Sequence, residues 1–92
     1  MFQISDDVER KIREKHGVAF DEIIECFINR TGRYLRDTRE QHRTTPPTEW
    51  FIAETDEGRR LKIVFMQYPD AIVIKTAYEP DPEEERIYAE KT

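Results

Sequence analysis

The apolar positions of this chain repeat with two different periods. Ile4, Val8 and Ile12 step by four, and Asp6 followed three residues later by Glu9 is a capping-box signature, so a first helix is predicted over residues 7–15, stopped by Gly17. Phe20, Ile23, Ile24, Phe27 and Ile28 follow the i, i+3, i+4, i+7, i+8 spacing of a core-facing stripe, predicting a second helix that ends near Asn29. The two helices form a hairpin.

After Thr31-Gly32 the period shortens to two. Residues 33–37 predict a short strand and residues 50–55 a better one, while across 60–68 Leu61, Ile63 and Phe65 alternate with Lys62, Val64 and Met66. Asp56-Glu57-Gly58 and Pro69-Asp70 supply turns, and residues 71–78 are rich in β-branched side chains, so the last three strands are expected to form an antiparallel meander. Asp81-Pro82-Glu83-Glu84 reads as N-cap, first-turn proline and third-position carboxylate of a short terminal helix, for which Ile87, Tyr88 and Ala89 are the apolar anchors. The expected fold class is α+β: an N-terminal helical hairpin packed on a small, mainly antiparallel sheet, with a short C-terminal helix.

The sheet face holding Leu61, Ile63 and Phe65 with Ile72 and Ile74 is the stronger candidate for docking the hairpin. That choice turns Arg60, Lys62 and Lys75 to the open face. Strict alternation from Ile72 and Ile74 places Tyr78 on the core side, and a bulge near the strand end would be needed to turn it outward.

Composition narrows this picture. Ninety-two residues suit one domain with a modest core, so any site is expected to be a surface cleft. The single cysteine, Cys26, cannot form an internal disulfide and falls between core positions of the second helix; no apolar run reaches the length of a membrane span or signal peptide, and a reduced, cytoplasmic protein is expected. His16 and His42 are too far apart in sequence, with too few partners, to suggest a metal site. The formal charge of -5 argues against bulk affinity for nucleic acid, yet it is unevenly spread: residues 1–29 carry -3, residues 30–62 carry +2 and residues 63–92 carry -4.

Five arginines fall between Arg30 and Arg43, and the stretch RDTREQHRTTPPTEWF (36–51) is longer than a simple connection, for which about 4–6 residues suffice. His42, flanked by Arg39, Glu40 and Arg43, is the sharpest candidate for chemistry, because imidazole exchanges protons near neutrality without any perturbation. Neighbouring arginines suit a phosphate whose oxygens gain charge during reaction. Pro46-Pro47 stiffens the segment. His16, in the last helical turn before a glycine, is accounted for by the helix C-terminal dipole.

Lys15-His16-Gly17-Val18 with Phe20 and Glu22, then Gly58-Arg59 and Leu61 to Phe65, Ile72 to Ala77, and a terminal helix with Glu85 and Tyr88 together resemble the BrnT toxins of type II toxin–antitoxin systems. The resemblance implies a RelE-like fold, cleavage of RNA without metal or other cofactor, and an antitoxin partner encoded beside the toxin. Within that frame the catalytic candidates are His42, Arg43, Arg39 and Arg60, with Lys62, Lys75 and Tyr78 binding RNA. Tyr78 stands where those toxins carry an arginine, and the terminal helix is acidic where theirs is basic. A second expectation therefore stands beside the first, a non-catalytic interaction module on the same scaffold. The acidic segment 81–92 either lies over the cluster of Arg39, Arg43, Arg60 and Lys62, or presents a surface to a basic partner.

Overall fold

In the computed structural model, which describes residues 1–39 and 44–92, the elements run β1 (Phe2–Gln3), α1 (Asp6–His16), α2 (Phe20–Asn29), β2 (Leu35–Arg36), β3 (Thr48–Glu54), β4 (Arg60–Tyr68), β5 (Ala71–Tyr78) and α3 (Pro82–Lys91). The strands form one sheet in the order β1-β5-β4-β3-β2, antiparallel except for the parallel β1–β5 edge. The fold is α+β, with two helices before the main sheet strands and one after them.

The capping chemistry explains the helix bounds. Ser5, rather than Asp6, caps α1: its hydroxyl accepts the Val8 N–H at 3.1 Å, which starts the helix one residue earlier than the acidic signature suggests. At the other end Gly17 takes a left-handed φ of 64°, and its N–H returns to the Arg13 carbonyl. The Glu22 carboxylate accepts the Ala19 N–H at 3.0 Å, satisfying a donor at the start of α2.

Adjacent residues of β3 show how the two faces of the sheet are used. Phe51 points toward the helical hairpin, its ring 4.8 Å from that of Phe27 on α2, whereas Trp50 points the other way, 5.7 Å from Tyr88 on α3. Ile12, Val18, Ile23, Cys26, Phe51, Leu61, Ile63, Phe65, Ile74 and Ala77 build the core of the hairpin side. The face expected to dock the hairpin is the one that does.

Three further features of the packing depart from the expected pattern. Strand β1 was not expected; it is two residues long and is held on β5 with Phe2 opposite Ile72, reinforced by the Ile72 N–H donating to the Met1 carbonyl at 2.8 Å. Ile28 is 76% exposed, because Ile23 and Cys26 centre the buried arc of α2 and a residue five positions beyond Ile23 lies about 140° round the helix. Phe27 is half-buried, yet it anchors an aromatic cluster with Phe2, Phe51, Phe65 and Tyr34.

Arg59, at the mouth of β4, fastens the hairpin to the sheet. Its guanidinium donates to the His16 carbonyl at 3.0 Å, the Gly17 carbonyl at 2.8 Å, both Glu22 oxygens at 3.1 Å and Glu79 at 2.8 Å. One side chain thus satisfies the carboxyl end of α1, the amino end of α2 and the segment after β5. On the opposite face Tyr88 is 6% exposed and donates its hydroxyl to the Arg33 carbonyl at 2.9 Å; a Cβ at Gly32 would collide with the Tyr88 ring and hydroxyl, so that position accepts no side chain while α3 is docked.

The packing predicts a contrast within α2. Phe27→Ala is expected to cost about 3 kcal/mol, the lower end of the range for a large aromatic because part of the ring reaches the surface. Ile28→Ala is expected to stay within about 0.5 kcal/mol of wild type. Urea denaturation midpoints measure both, and equal effects would place the buried arc elsewhere.

Candidate functional site

The site begins with an irregularity in β5. Val64 pairs with Thr76 but Phe65 pairs with Ile74, which leaves Lys75 as an extra residue without a partner in β4. The bulge resets the alternation: Ile74 and Ala77 are buried on the hairpin side, while Tyr78 turns to the open face. The expectation that Tyr78 faces the core is therefore corrected. The one-residue insertion required to turn it outward is present.

Tyr78 meets Glu84 of α3. The phenol donates to Glu84 Oε2 at 2.7 Å, the same oxygen accepts Lys62 Nζ at 2.8 Å, and Glu84 Oε1 accepts the Asp81 N–H at 3.0 Å in the capping box of α3. Burial pushes the Glu84 carboxyl up, but the hydrogen bonds from Lys62, the Asp81 backbone and Tyr78 outweigh it and hold the group below the ordinary glutamate value. Burial, followed by the Glu84 contact, pushes the Tyr78 phenol up. At neutral pH the node holds a carboxylate at Glu84 and a neutral phenol at Tyr78. Lys62 also sits 4.4 Å above the centre of the Trp50 ring.

Beside this node lies a cleft of about 880 Å³. Its lining carries Arg36, Arg39, Lys62, Lys75 and Lys91 against Asp37 and Glu84, with Trp50 and Tyr78 as aromatic walls. Arg39 is held at the rim by Asp37, which accepts Nε at 3.0 Å and Nη2 at 2.8 Å. Arg36, Lys75 and Lys91 are exposed and make no salt bridge among the described residues. Arg39 and Thr44, the described residues on either side of positions 40–43, both line this cleft. Four sequence-selected residues, Arg39, Lys62, Lys75 and Tyr78, are thereby brought together; His42 and Arg43 lie outside the described residues.

Arg60 is not in this cleft. It lies across α3 in a second one of about 780 Å³, where Glu85 accepts Nε and Nη2 at 2.7 and 2.8 Å and Glu54 lies 3.4 Å from Nη1. Its expected place beside Arg39 fails because α3 runs between them, a path that strand alternation alone does not specify. Of the two alternatives for the acidic segment, the first holds in part: α3 covers Arg60 and Lys62. Trp50, Arg36, Lys91 and Glu84 are site residues that the sequence reading did not select. Glu84 had a visible signal in its capping spacing from Asp81, but that signal accounts for only one of its oxygens.

Other chemistry recedes. The Cys26 thiol is fully buried, donates to the Ala53 carbonyl at 3.7 Å and is pushed up to about 12, first by burial and then by Glu22 and Glu25. No cluster of His, Cys, Asp and Glu suited to a metal ion occurs among the described residues, and no helix among them is long and apolar enough to cross a membrane. No protein-family model matches this chain, and no curated protein matches it.

The node predicts a pH dependence of helix docking. The Glu84 and Glu85 carboxyls are both lowered in the folded protein, Glu85 chiefly by its hydrogen bonds from Arg60. Their stabilising contribution is therefore present above the ordinary glutamate value of 4.5 and lost as pH falls through their folded values. Trp50 fluorescence, sensitive to the Tyr88 and Lys62 contacts, is expected to hold steady from pH 7 to 5 and change below that. A transition centred near pH 6 to 7 would contradict this account.

Proposed function

We propose that the cleft between β5, β3 and α3 binds RNA and that the protein is a metal-independent endoribonuclease of the toxin kind implied by its resemblance to BrnT proteins. The observation that supports this reading most is the convergence of Arg39, Lys62, Lys75 and Tyr78 on one cleft whose rim includes both described flanks of the His42–Arg43 segment. Cations set among aromatic walls suit a single strand, whose phosphates need charge and whose bases need flat apolar surface.

The reaction that fits these groups is attack by the ribose 2′-hydroxyl on the adjacent phosphorus. The 2′-oxygen–phosphorus bond forms, the bond to the 5′-oxygen breaks, and the products are a 2′,3′-cyclic phosphate and a 5′-hydroxyl. His42 takes the 2′-hydroxyl proton while water protonates the departing 5′-oxygen, or His42 protonates the 5′-oxygen while water takes the 2′-hydroxyl proton. Arg43 and Arg39 balance the charge that gathers on the phosphate oxygens, with Lys62 in support once Glu84 releases it and Lys75 tracking a neighbouring phosphate. Tyr78 offers a ring face or, when released from Glu84, its hydroxyl. Arg60 belongs outside this step because of its position across α3. The partner implied by the resemblance is an antitoxin protein from an adjacent gene.

A second reading, a non-catalytic interaction module, is favoured by the net charge of -5 and by the carboxylates that occupy Lys62 and Arg60. Cleavage decides between them. With a chelator present, the purified protein is expected to cut RNA, and His42→Ala to slow it by about 10²–10⁴-fold. Unchanged cleavage in the variant would remove His42 from the mechanism, while no cleavage of any RNA, with or without ribosomes, would leave the interaction module. Lys75→Ala is expected to weaken binding evenly across sequences and make the salt dependence shallower by about 0.7.

A further inference from the structure

Arg60 and Lys62 alternate on β4 and project to the same face of the sheet, beneath α3. Arg60 presents two parallel N–H groups to both oxygens of Glu85, at 2.7 and 2.8 Å, a geometry that a guanidinium offers equally to a phosphate. Lys62 presents its ammonium to Glu84 in the same way, as a point charge. The two acidic side chains therefore sit where phosphate oxygens could sit.

The helix carries much of its stabilising chemistry within itself. The Glu84 N–H donates to the Asp81 carboxylate at 2.8 Å and the Asp81 N–H to the Glu84 carboxylate at 3.0 Å, Pro82 occupies the first turn, and Arg86 pairs along the helix with Glu83 and with Glu90. Of its side chains only Tyr88 is buried. The two clefts flank it on successive helical faces, Glu84, Ile87 and Lys91 lining one and Glu85, Tyr88 and Thr92 the other.

We propose that α3 is a displaceable cover over a second anion-binding tract, in which Arg60 and Lys62 take RNA phosphates when Glu85 and Glu84 let go. Displacement joins the two clefts into one groove across the sheet, with Lys75 at one end and Arg60 at the other. This inference rests on the RNA reading of the cleft and adds how much of the strand is bound and what regulates it. Substrate competes with the protein's own carboxylates, and low ionic strength alone does not open the groove, because it strengthens both contacts.

The test replaces charge without disturbing the cap. Glutamine serves in the third position of a capping box as glutamate does, so the Glu84→Gln/Glu85→Gln protein keeps its helix, which circular dichroism verifies. The probe is a fluorescent single-stranded RNA with 2′-O-methyl groups, which cannot supply the attacking hydroxyl. Anisotropy titrations over a salt series are expected to show about tenfold tighter binding by the double variant at low salt. The salt dependence is expected to steepen by about 1.4, or about 0.7 for each cation made available. Glu85→Gln alone, which leaves the contacts among Glu84, Lys62 and Tyr78, is expected to give about half that steepening and covers the case in which the double variant does not fold. Equal affinity and equal slope for wild type and variants would overturn the cover while leaving the RNA site in place. No binding by any of the proteins would remove the RNA reading and the cover together.

Discussion

The open face of this protein depends on one carboxylate. Glu84 closes the amino end of α3 through the Asp81 N–H, fixes the Lys62 ammonium above Trp50 and takes the Tyr78 hydroxyl, all from a position only 20% exposed. Taking a charge that far out of water is unfavourable, and the combined donors outweigh that penalty and hold the carboxyl below its ordinary value. Removing any donor leaves the others facing a less well satisfied anion. The position of the helix, the direction of the tyrosine and the availability of the lysine are consequently not independent quantities.

The opposite face is governed by the same kind of chemistry from the neighbouring residue. Arg59 and Arg60 are adjacent at the start of β4, and because a strand sends successive side chains to opposite faces, Arg59 secures the hairpin through His16, Gly17 and Glu22 while Arg60 secures α3 through Glu85. The two clamps differ in burial. Arg59 is 27% exposed and satisfies backbone carbonyls that have no other helical partner, whereas Arg60 is 44% exposed and holds side chains alone. The hairpin clamp is therefore the more permanent and the α3 clamp the more easily exchanged.

These relations explain which parts of the molecule the sequence makes legible. Strands β4 and β5 lie where alternation and turn residues place them, and the Asp81-Pro82 signal locates α3 to the residue, because each signal is local and recurs within a few positions. Strand β1 has only two residues and no period to detect; it exists because β5 offers an edge. The bulge at Lys75 is a single-residue event with no composition of its own, yet it reverses the direction of Tyr78. Arg39, Lys62, Lys75 and Tyr78 could be chosen from residue type, but separating Arg60 from them required the course of α3, a long-range property set by Tyr88 meeting Trp50 and the space at Gly32. Ile28 is legible as apolar but not as exposed, since the phase of α2 is decided by what Cys26 and Ile23 touch.

Cys26 gives this architecture a practical property. The chain's one thiol is sealed between α2 and the Ala53 carbonyl of β3, and burial keeps it protonated under ordinary conditions. A thiol-directed reagent can reach it only when the hairpin parts from the sheet, whereas undocking of α3 occurs on the far side and leaves it sealed. The rate of covalent labelling thus reports one kind of opening and is blind to the other, so the native protein distinguishes its two layers without an introduced probe.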